Sequence, residues 1–340
     1  MCVCVNAFTC FVIMKIQLSH NFNDIVKVEN LLEAWSEFIK GKRNKKDVQE
    51  FSFNLMDNIF QLNADLIQHT YKHGSYQAFN INDPKPRNIH KASVRDRLLH
   101  HAIYRILYPF FDKIFIADSY SCRLNKATYK ALNRFREFGY KVSENNTKTC
   151  WILKCDIKKF FANIDHKILM EILNQYISDK EILWLVKEVV ESFSFARNGV
   201  GLPLGNLTSQ LFVNIYMNEF DQFVKHKLKI KQYIRYADDF VIFSPDRNSL
   251  KKLIPLIQKF LAEKLHIELH PQKVSIATLA SGIDFLGWVN FPNHKVLRTS
   301  TKRRMIKRLA ENKSSETVNS YLGLLKHGNT HKLRRKLFFT

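Results

Sequence analysis

Three aspartates define the chemistry that this sequence could perform. Asp238 and Asp239 are adjacent in a short polar interval between two apolar runs, and Asp156 follows a third apolar run earlier in the chain. Neighbouring carboxylates repel one another, so cations must compensate their charge. Carboxylate oxygens without nearby Cys or His suit Mg²⁺ or Mn²⁺ better than zinc. Two such ions can activate an attacking hydroxyl and stabilise the departing oxygen in an in-line displacement at phosphorus.

The segments around these aspartates are predicted to be strands. Residues 151–155 form an apolar run that delivers Asp156, and runs 232–236 and 240–244 flank Asp238 in a pattern typical of a β-hairpin. Asp156 and Asp238 can share metal ions only if these strands belong to one sheet. We therefore predict that they meet at the centre of the molecule.

Apolar periodicity predicts helices on both sides of this sheet. Prolines predict an extended basic strip between the first two helices, and glycines predict a turn before the third. In chain order the predictions are a helix over 51–67, an extended strip at 83–89, a helix over 98–110, a loop at 141–149, a turn at 199–205, a helix over 212–224 preceded by Ser209, a short strand at 285–289, and basic helix from about 299.

The charge of the chain indicates a polyanionic partner. There are 53 Lys and Arg against 31 Asp and Glu, a net charge of +22, while 46% hydrophobic residues are enough for a large core and exclude a disordered chain. Residues 295–340 hold thirteen Lys and Arg against two Glu, a net of +11. Nucleic acid is the favoured partner and an anionic membrane surface the second; an ordinary solvated basic helix is the alternative for the C-terminal segment.

Cysteines and the N-terminus indicate a reducing, cytoplasmic setting. The six Cys show no disulfide framework. Residues 1–14 are apolar, but they are fewer than the roughly 20 needed to cross a bilayer, and no Lys or Arg precedes them as in a signal peptide. We predict a non-native or unstructured extension and no membrane partner.

Several motifs, in order, resemble those of one known family. Residues 236–239 (YADD) resemble the YxDD box of reverse transcriptases, 156–161 (DIKKFF) resemble their first palm motif, and 201–210 (GLPLGNLTSQ) resemble the segment before their palm helix. Most reverse transcriptases have Gln where Leu204 stands and Pro where Gln210 stands. This variant is similar to the reverse transcriptases of diversity-generating retroelements.

The resemblance extends from about residue 84 to the C-terminus and implies an α+β right-hand polymerase fold. The palm would be an antiparallel sheet backed by helices, and the activity would be RNA-directed DNA synthesis with two Mg²⁺, or Mn²⁺. A bacterial, archaeal or phage origin is implied. The implied domains are fingers at 15–150 with an insertion at 167–205, palm at 151–294, and a short basic helical thumb at 295–340.

The resemblance also assigns roles to individual residues. Asp156, Asp238 and Asp239 would bind the metals with the carbonyl of Ile157, and Lys273 would protonate the leaving pyrophosphate. Phe161 would exclude a ribose 2′-OH. The triphosphate would be gripped by Lys85 and Arg87, and the template–nucleotide pocket lined by Leu204, Gly205 and Gln210. Nucleic acid would contact Arg123, Tyr236, Gly287, Trp288, Arg303, Arg304 and Lys307, with Gly287 and Trp288 in a hairpin that supports the primer end.

The implied partners are an RNA template, a DNA or RNA primer, deoxynucleoside triphosphates, and a small basic helical accessory protein that forms a multimer. Copying would be error-prone at template adenines. A retron, group II-like or phage-defence reverse transcriptase and a catalytically silent nucleic-acid-binding module are the alternatives. Two histidine pairs, His266/His270 and His327/His331, have helical spacing but no third metal ligand in sequence. Asp96 and Arg97 are predicted to form a local ion pair.

Overall fold

A computed structural model describes residues 16–82, 86–195 and 197–338 of the chain. The predicted extension at 1–14 and the predicted nucleotide-binding residue Lys85 lie outside these ranges.

The chain alternates helical regions with short antiparallel strands. The helices are α1 (Phe22–Val26), α2 (Val28–Phe38), α3 (Lys46–Phe53), α4 (Leu55–Ile67), α5 (Val94–Ile114), α6 (Ala127–Val142), α7 (His166–Asn174), α8 (Lys180–Glu191), α9 (Leu207–Gln222), α10 (Arg247–Leu265), α11 (Thr299–Glu311), α12 (Ser315–Leu325) and α13 (His331–Phe338). The strands are β1 (Gln77–Ile81), β2 (Arg87–Lys91), β3 (Trp151–Asp156), β4 (Tyr233–Tyr236), β5 (Asp239–Ser244), β6 (Ser275–Thr278), β7 (Ile283–Phe285), β8 (Trp288–Asn290) and β9 (Lys295–Leu297). A π-helical turn, Phe223–Lys227, extends α9, and 3₁₀ turns lie at Phe160–Asn163 and Leu279–Ser281.

The central sheet has four antiparallel strands in the order β4-β5-β3-β6. Strand β3 pairs with β5 so that Asp156 lies opposite Asp239, and Trp151 at the other end lies opposite Ser244. The predicted strand at 151–155 and the predicted hairpin are therefore confirmed. They share one sheet, as the chemistry requires.

Side chains alternate between two buried cores on the two faces of this sheet, as the period of two in a strand dictates. Leu153 and Cys155 of β3 join the larger core, which contains α9 and α10, whereas Ile152 joins the smaller core beneath α6. On the α6 side, Phe135 packs against Phe243 of β5 with ring centroids 4.9 Å apart. The sheet is thus buried on both faces.

The helix predicted over 51–67 is interrupted. Asn54 has non-helical backbone angles (φ −114°, ψ 45°), which end α3 and begin α4. The apolar spacing is similar on both sides of Asn54, so the pattern alone did not show the break. Helix α9 likewise begins at Leu207, which places Ser209 inside its first turn rather than before it.

The predicted local pair of Asp96 with Arg97 is wrong. Asp96 is buried, and its carboxylate accepts hydrogen bonds from the hydroxyls of Tyr71 (2.7 Å) and Ser93 (2.6 Å). Arg97 instead bonds Asp47, 2.5 Å away in α3. Successive residues of a helix point in different directions, so each found a partner elsewhere.

The segment predicted as one strand at 285–289 is a hairpin. Phe285 pairs with Trp288, and the two residues between them, Leu286 (φ +52°) and Gly287 (φ +83°), are both left-handed, as a tight two-residue turn requires. This agrees with the hairpin that the family resemblance implied. Strands β7, β8 and β9 form a second antiparallel sheet.

The C-terminal helices join the smaller core through this second sheet. Met305 and Leu309 of α11 and Leu325 of α12 are buried with Trp288. The basic C-terminal segment therefore has an apolar face docked on the β7–β9 sheet and leaves most of its Lys and Arg side chains exposed. Among the described residues, no helix has the length and apolar character needed to cross a bilayer.

Candidate active site

The three aspartates meet where β3 ends and β5 begins. Asp156 is the last residue of β3 and is paired across the sheet with Asp239, the first residue of β5. Directly opposite residues of antiparallel strands have Cβ atoms about 4.5–5.5 Å apart. Asp238 occupies the turn before β5, and its carbonyl accepts a hydrogen bond from the Ile157 amide (3.3 Å). The predicted convergence of Asp156 with Asp238 is confirmed.

Burial and mutual repulsion make Asp238 and Asp239 hard to ionise. Burial, followed by the charge of Asp156, raises the pKa of Asp238 above its ordinary value. Burial is also the main cause that raises the pKa of Asp239 to about 6, while Lys154 opposes the shift and the other two aspartates reinforce it. The negative charge at the turn is therefore incompletely compensated by the protein's own cations.

Lys273 supplies the one direct cation contact among these carboxylates that the structure records. Its Nζ lies 2.7 Å from Oδ1 of Asp156, which is largely buried. Lys273 reaches this position because its segment runs antiparallel to β3. The amide of His270 donates to the Asp156 carbonyl (2.7 Å), and the amide of Lys273 donates to the His270 carbonyl. The predicted catalytic lysine is thus beside the predicted metal ligands.

The residues at the turn fit hard divalent cations by their donor chemistry. Carboxylate oxygens are the ligands that Mg²⁺ prefers, and the raised pKa values mark charge that a cation would neutralise. In the described ranges, no three His, Cys, Asp or Glu side chains form a closed metal-ligand group. One Asp156 oxygen is bonded to Lys273 instead. The carboxylates are gathered in register without being closed into a coordination cage.

A buried ion pair supports the turn from below. Arg235 and Asp221 are fully buried, with Nη2 to Oδ2 at 2.7 Å and Nε to Oδ1 at 2.8 Å. Nη1 of Arg235 also donates to the carbonyl of Ala237 (3.1 Å), the residue before Asp238. Ala237 has φ +56°, a conformation that costs energy for a residue with a Cβ. The guanidinium therefore holds the strained residue that aims Asp238.

Helix and strand periodicity explain how this pair is assembled. Asn214 and Asp221 lie two turns apart on one face of α9, and Tyr233 and Arg235 lie on one face of β4. Tyr233 donates its hydroxyl to Asp221 (2.7 Å), and Asn214 accepts from Arg235 (3.2 Å). Apolar spacing and motifs did not identify this pair, although an Arg inside the apolar run 232–236 indicates a buried partner.

The segment before α6 covers the edge of β4. The amide of Arg235 donates to the carbonyl of Asp118, and the amide of Tyr120 donates to the carbonyl of Arg235, both at 3.0 Å. The Ser119 hydroxyl also accepts from Nη2 of Arg235 (3.1 Å). These hydrogen bonds therefore connect the strand that leads to Asp238 with a segment more than a hundred residues away in the chain.

Backbone hydrogen bonds connect two of the predicted nucleotide-pocket residues to neighbouring segments. The carbonyl of Phe161 accepts from the Leu202 amide (2.8 Å), and the carbonyl of Leu204 accepts from the His90 amide of β2 (3.0 Å). Gly205 has φ +107°, and a Cβ there would lie 2.8 Å from Cγ2 of Ile89. Gly205 is therefore required both for its backbone angle and for the close approach to β2.

The remaining pocket candidates lie on the same elements. Arg87 begins β2, is exposed, and contributes to lowering the pKa of Asp238 against the effect of burial. Gln210 is half-buried in the first turn of α9. Strand β2 carries Arg87, while the segment that leads into α9 and the first turn of α9 carry Leu204, Gly205 and Gln210; their shared role in one binding region stays a prediction.

The structure uses two of the predicted nucleic-acid contacts internally. Arg123 is 5% exposed, bonds Oδ1 of Asp112 at 2.7 Å and donates to the carbonyls of Ile116 and Ser119. Trp288 is 2% exposed in the smaller core. Because their side chains are committed inside the protein, we assign Arg123 and Trp288 to support of the site rather than to contact with nucleic acid.

Other predicted contacts keep accessible groups. Tyr236 is half-buried, and its hydroxyl lies 3.1 Å from that of Thr128. Gly287 forms the β7–β8 turn, and its carbonyl accepts from the Arg298 amide just before α11 (3.1 Å). On α11, Arg303 and Lys307 are exposed and one turn apart, while Arg304 is half-buried. These three cations thus lie on a helix whose first end contacts the predicted primer-supporting turn.

The histidine pairs have structural neighbours. His266 ends α10 in a left-handed conformation, with Nδ1 3.1 Å from Asp165. His327 stacks on Tyr129 with ring centroids 3.4 Å apart. Neither pair belongs to a three-ligand group within the part of the chain that the structure describes.

Comparison with known proteins identifies relatives of this site and fold. Residues 72–289 match the family described as reverse transcriptase (RNA-dependent DNA polymerase), a range that includes all three aspartates and Lys273. The group II intron-encoded protein LtrA of Lactococcus lactis subsp. cremoris is 24% identical over 291 residues, covering 66% of this chain and 47% of that protein. Protein YkfC of Escherichia coli K12 is 22% identical over 274 residues, covering 68% and 70%.

A solved structure has the same architecture. Apo telomerase from Candida tropicalis superposes with a TM-score of 0.51 at 14% identity, over 67% of this chain and 55% of that one. At this identity the likeness concerns the fold alone, and it confirms the predicted α+β right-hand polymerase fold. The chain spans about half the length of the Lactococcus relative.

Asp239→Asn should stabilise the metal-free protein in a pH-dependent manner. The pKa of Asp239 is raised from 3.8 to about 6, so the unfolded chain loses this proton at lower pH than the folded protein does. Wild-type stability attributable to Asp239 therefore falls as pH rises through that window, and the variant should gain about 3 kcal/mol near pH 7.

Urea unfolding with EDTA measures this difference between variant and wild type. We expect the difference to shrink towards zero as pH falls to about 4. With Mg²⁺ added, wild type should rise in melting temperature more than the variant does. A constant difference across pH would show that Asp239 ionises normally in the folded protein.

Arg235→Met should destabilise the protein by about 3–5 kcal/mol, because it leaves Asp221 charged and buried without its partner. Arg43→Met, at an exposed position of the α2–α3 connection, is the matched control and should change stability by less than about 0.5 kcal/mol. Urea unfolding measures both. The double variant Arg235→Met with Asp221→Leu should recover much of the loss, and failure to recover any would mean that the pair is not the main interaction lost.

Proposed function

The chain belongs to the reverse transcriptase family of RNA-dependent DNA polymerases, and on that premise we propose that it copies an RNA template into DNA by two-metal nucleotidyl transfer. The observation that carries this proposal is the cross-strand pairing of Asp156 with Asp239, with Asp238 in the turn between β4 and β5. Three carboxylates in that register destabilise the folded protein by mutual repulsion unless divalent cations, with the phosphates of the substrate, bind between them.

Each residue at the turn has a defined task in this reaction. Asp156, Asp238, Asp239 and the carbonyl of Ile157 would hold two Mg²⁺, or Mn²⁺. When bound, these ions activate the primer 3′-hydroxyl and neutralise charge on the leaving group. The Arg235–Asp221 pair would keep Asp238 oriented throughout. Preorganisation of this kind is the main contribution that a polymerase site can make.

Lys273 would act on the leaving group. Its Nζ already lies beside Asp156, so a proton held there is within the site. As the bond from the α-phosphorus to the bridging oxygen breaks and the bond to the primer oxygen forms, that proton would pass to the departing pyrophosphate. Arg87, and Lys85 by resemblance, would grip the triphosphate, and Phe161 would exclude a 2′-hydroxyl.

A primed homopolymer tests the proposal directly. Wild type should extend oligo(dT) on poly(rA) with dTTP and Mg²⁺, and Asp238→Asn should lower the rate by at least about a hundredfold because it removes a negative metal ligand. Asp57→Asn, exposed at the start of α4, is the matched control and should retain full activity. Equal synthesis by Asp238→Asn and wild type would refute the site.

We further propose that copying is mutagenic at template adenines, as in a diversity-generating retroelement. Leu204 and Gln210 support this, because they replace the more usual Gln and Pro at the pocket formed by β2 and α9. In this setting the partners would be a structured template RNA and a small basic helical accessory protein in the cytoplasm. The similarity to a group II intron-encoded protein favours the alternative, a group II-like template.

Sequencing the cDNA from a mixed-sequence template separates these two proposals. We expect errors concentrated opposite adenines, and Leu204→Gln should reduce them by about tenfold by restoring a hydrogen-bonding side chain at the pocket. Leu256→Gln, on the exposed side of α10, controls for the change in residue type. An adenine error rate equal to that at other bases would reject mutagenic copying and leave the polymerase assignment standing.

A further inference from the structure

A cleft lies at the end of the central sheet away from the aspartates. Four separate segments form it: α6, the 3₁₀ turn after β6, the β8–β9 turn and the connection from α12 to α13. Its volume is about 480 Å³, within the range of about 300–1,000 Å³ typical of ligand pockets. None of the catalytic candidates lines it.

The register of the central sheet locates this cleft. Leu279, which lines it, follows β6, and its amide donates to the carbonyl of Cys150 just before β3 (2.8 Å). Asp156 is at the other end of β3. A six-residue strand separates its two ends by roughly 16 Å. The cleft is therefore distinct from the site where the nucleotide would bind.

Cations without acidic partners line the cleft. Arg136, Lys295 and Lys326 contribute positive charge, and His294 and His327 can add to it. None of the described residues that line it is Asp or Glu. Four asparagines add polar groups, and the carboxylate next to Arg136, that of Glu137, is bonded to Arg134 instead (2.9 Å). Such a surface attracts an anion and offers it hydrogen-bond donors.

The positive groups are held together against their mutual repulsion. Burial, followed by the charge of Arg136, lowers the pKa of Lys295. Nζ of Lys295 lies 5.5 Å above the centre of the Trp288 ring, a cation–π contact that fixes its position. Like charges brought together in a half-buried cleft destabilise the free protein, and an anionic ligand would remove that penalty.

Close backbone packing builds the cleft. A Cβ on Gly328 would lie 2.1 Å from Cζ3 of Trp288, so only glycine allows this connection to approach β8. The amide of Asn329 donates to the carbonyl of Lys295 (2.8 Å). The stacking of His327 on Tyr129 attaches the same connection to α6. The cleft is thus a preformed feature.

We propose that this cleft binds the phosphates of an RNA segment that lies outside the primer–template path. The anion preference follows from the cations and amides alone; the identification of the anion as RNA rests on the proposed function. The template of an RNA-copying enzyme is longer than the active site, so some of its phosphates lie outside that site. A net charge of +22 favours binding of those phosphates elsewhere on the protein. A phosphate chain held at the far end of the sheet would keep flanking RNA attached during synthesis. Neutral donors beside the cations fit phosphates and ribose hydroxyls better than they fit an acidic peptide.

Binding of poly(rU) in the presence of a saturating short, mixed-sequence RNA–DNA primer–template duplex tests the proposal. The duplex occupies the primer–template path, so poly(rU) reports on a second site. Arg136→Gln with Lys326→Gln, both exposed, should weaken poly(rU) binding by about tenfold and reduce the slope of log affinity against log salt by about 1–2, because two phosphate contacts are lost. Extension of the short duplex should be unchanged, which also shows that the variant is folded.

Lys251→Gln with Lys252→Gln removes the same charge from the exposed side of α10 and should leave poly(rU) affinity unchanged. Equal losses of poly(rU) affinity in the two double variants would show that net charge alone explains the effect, and would overturn the proposal. Complete displacement of poly(rU) by the duplex would also overturn it. Loss of poly-L-glutamate binding with poly(rU) binding intact would assign the cleft to an acidic protein. Poly(rU) binding is measured without catalysis, so a failed polymerase assay does not affect this result.

Discussion

The structure depends on holding like charges together at the end of one antiparallel strand pair. Asp156 and Asp239 face each other across β3 and β5, and Asp238 occupies the adjoining turn. Burial makes this arrangement more costly, as the raised pKa values of Asp238 and Asp239 show. An isolated hairpin could not sustain it, so the surrounding fold must supply both rigidity and positive charge.

That support comes from two kinds of cation. Lys273 contacts Asp156 directly and can move, because its side chain is exposed. Arg235 is fully buried beneath the turn and forms a bidentate ion pair with Asp221. It therefore cannot move without breaking the pair. A mobile cation beside the carboxylates suits a group that exchanges with metal and substrate. A fixed cation below them suits a group that keeps the backbone of Ala237 in its left-handed conformation.

The remaining cations fall into two groups, those that pair with a carboxylate of the fold and those that face solvent. In the N-terminal helical region, Arg95, Arg97 and Arg105 each pair with a carboxylate of a neighbouring helix and hold the helices together. On α11, Lys302 and Arg303 face solvent, and Arg136 and Lys326 do so around the cleft by α6. Paired cations contribute to the fold, and exposed cations are available for a polyanion. Part of the large net charge therefore lies on surfaces that binding would use.

The sequence by itself determined the chemistry and the local elements of the site. Carboxylate identity, the apolar runs on either side of Asp238 and the run before Asp156 were enough to predict three strands, a turn and a divalent-metal site. The family motifs added the pocket residues on β2 and α9. The strand and turn predictions are confirmed because strand alternation and turn chemistry are properties of short segments, whereas the metal site and the pocket residues stay predictions.

Only the tertiary structure decided which partners the polar residues chose. Packing between elements brings together Asp221 and Arg235, Arg123 and Asp112, and the four segments of the cleft by α6. The break at Asn54 and the turn at Leu286 likewise depend on backbone angles that apolar spacing does not specify. A charged side chain in a sequence shows that a partner is needed, but its position in the folded core determines whether that partner is another residue or a ligand.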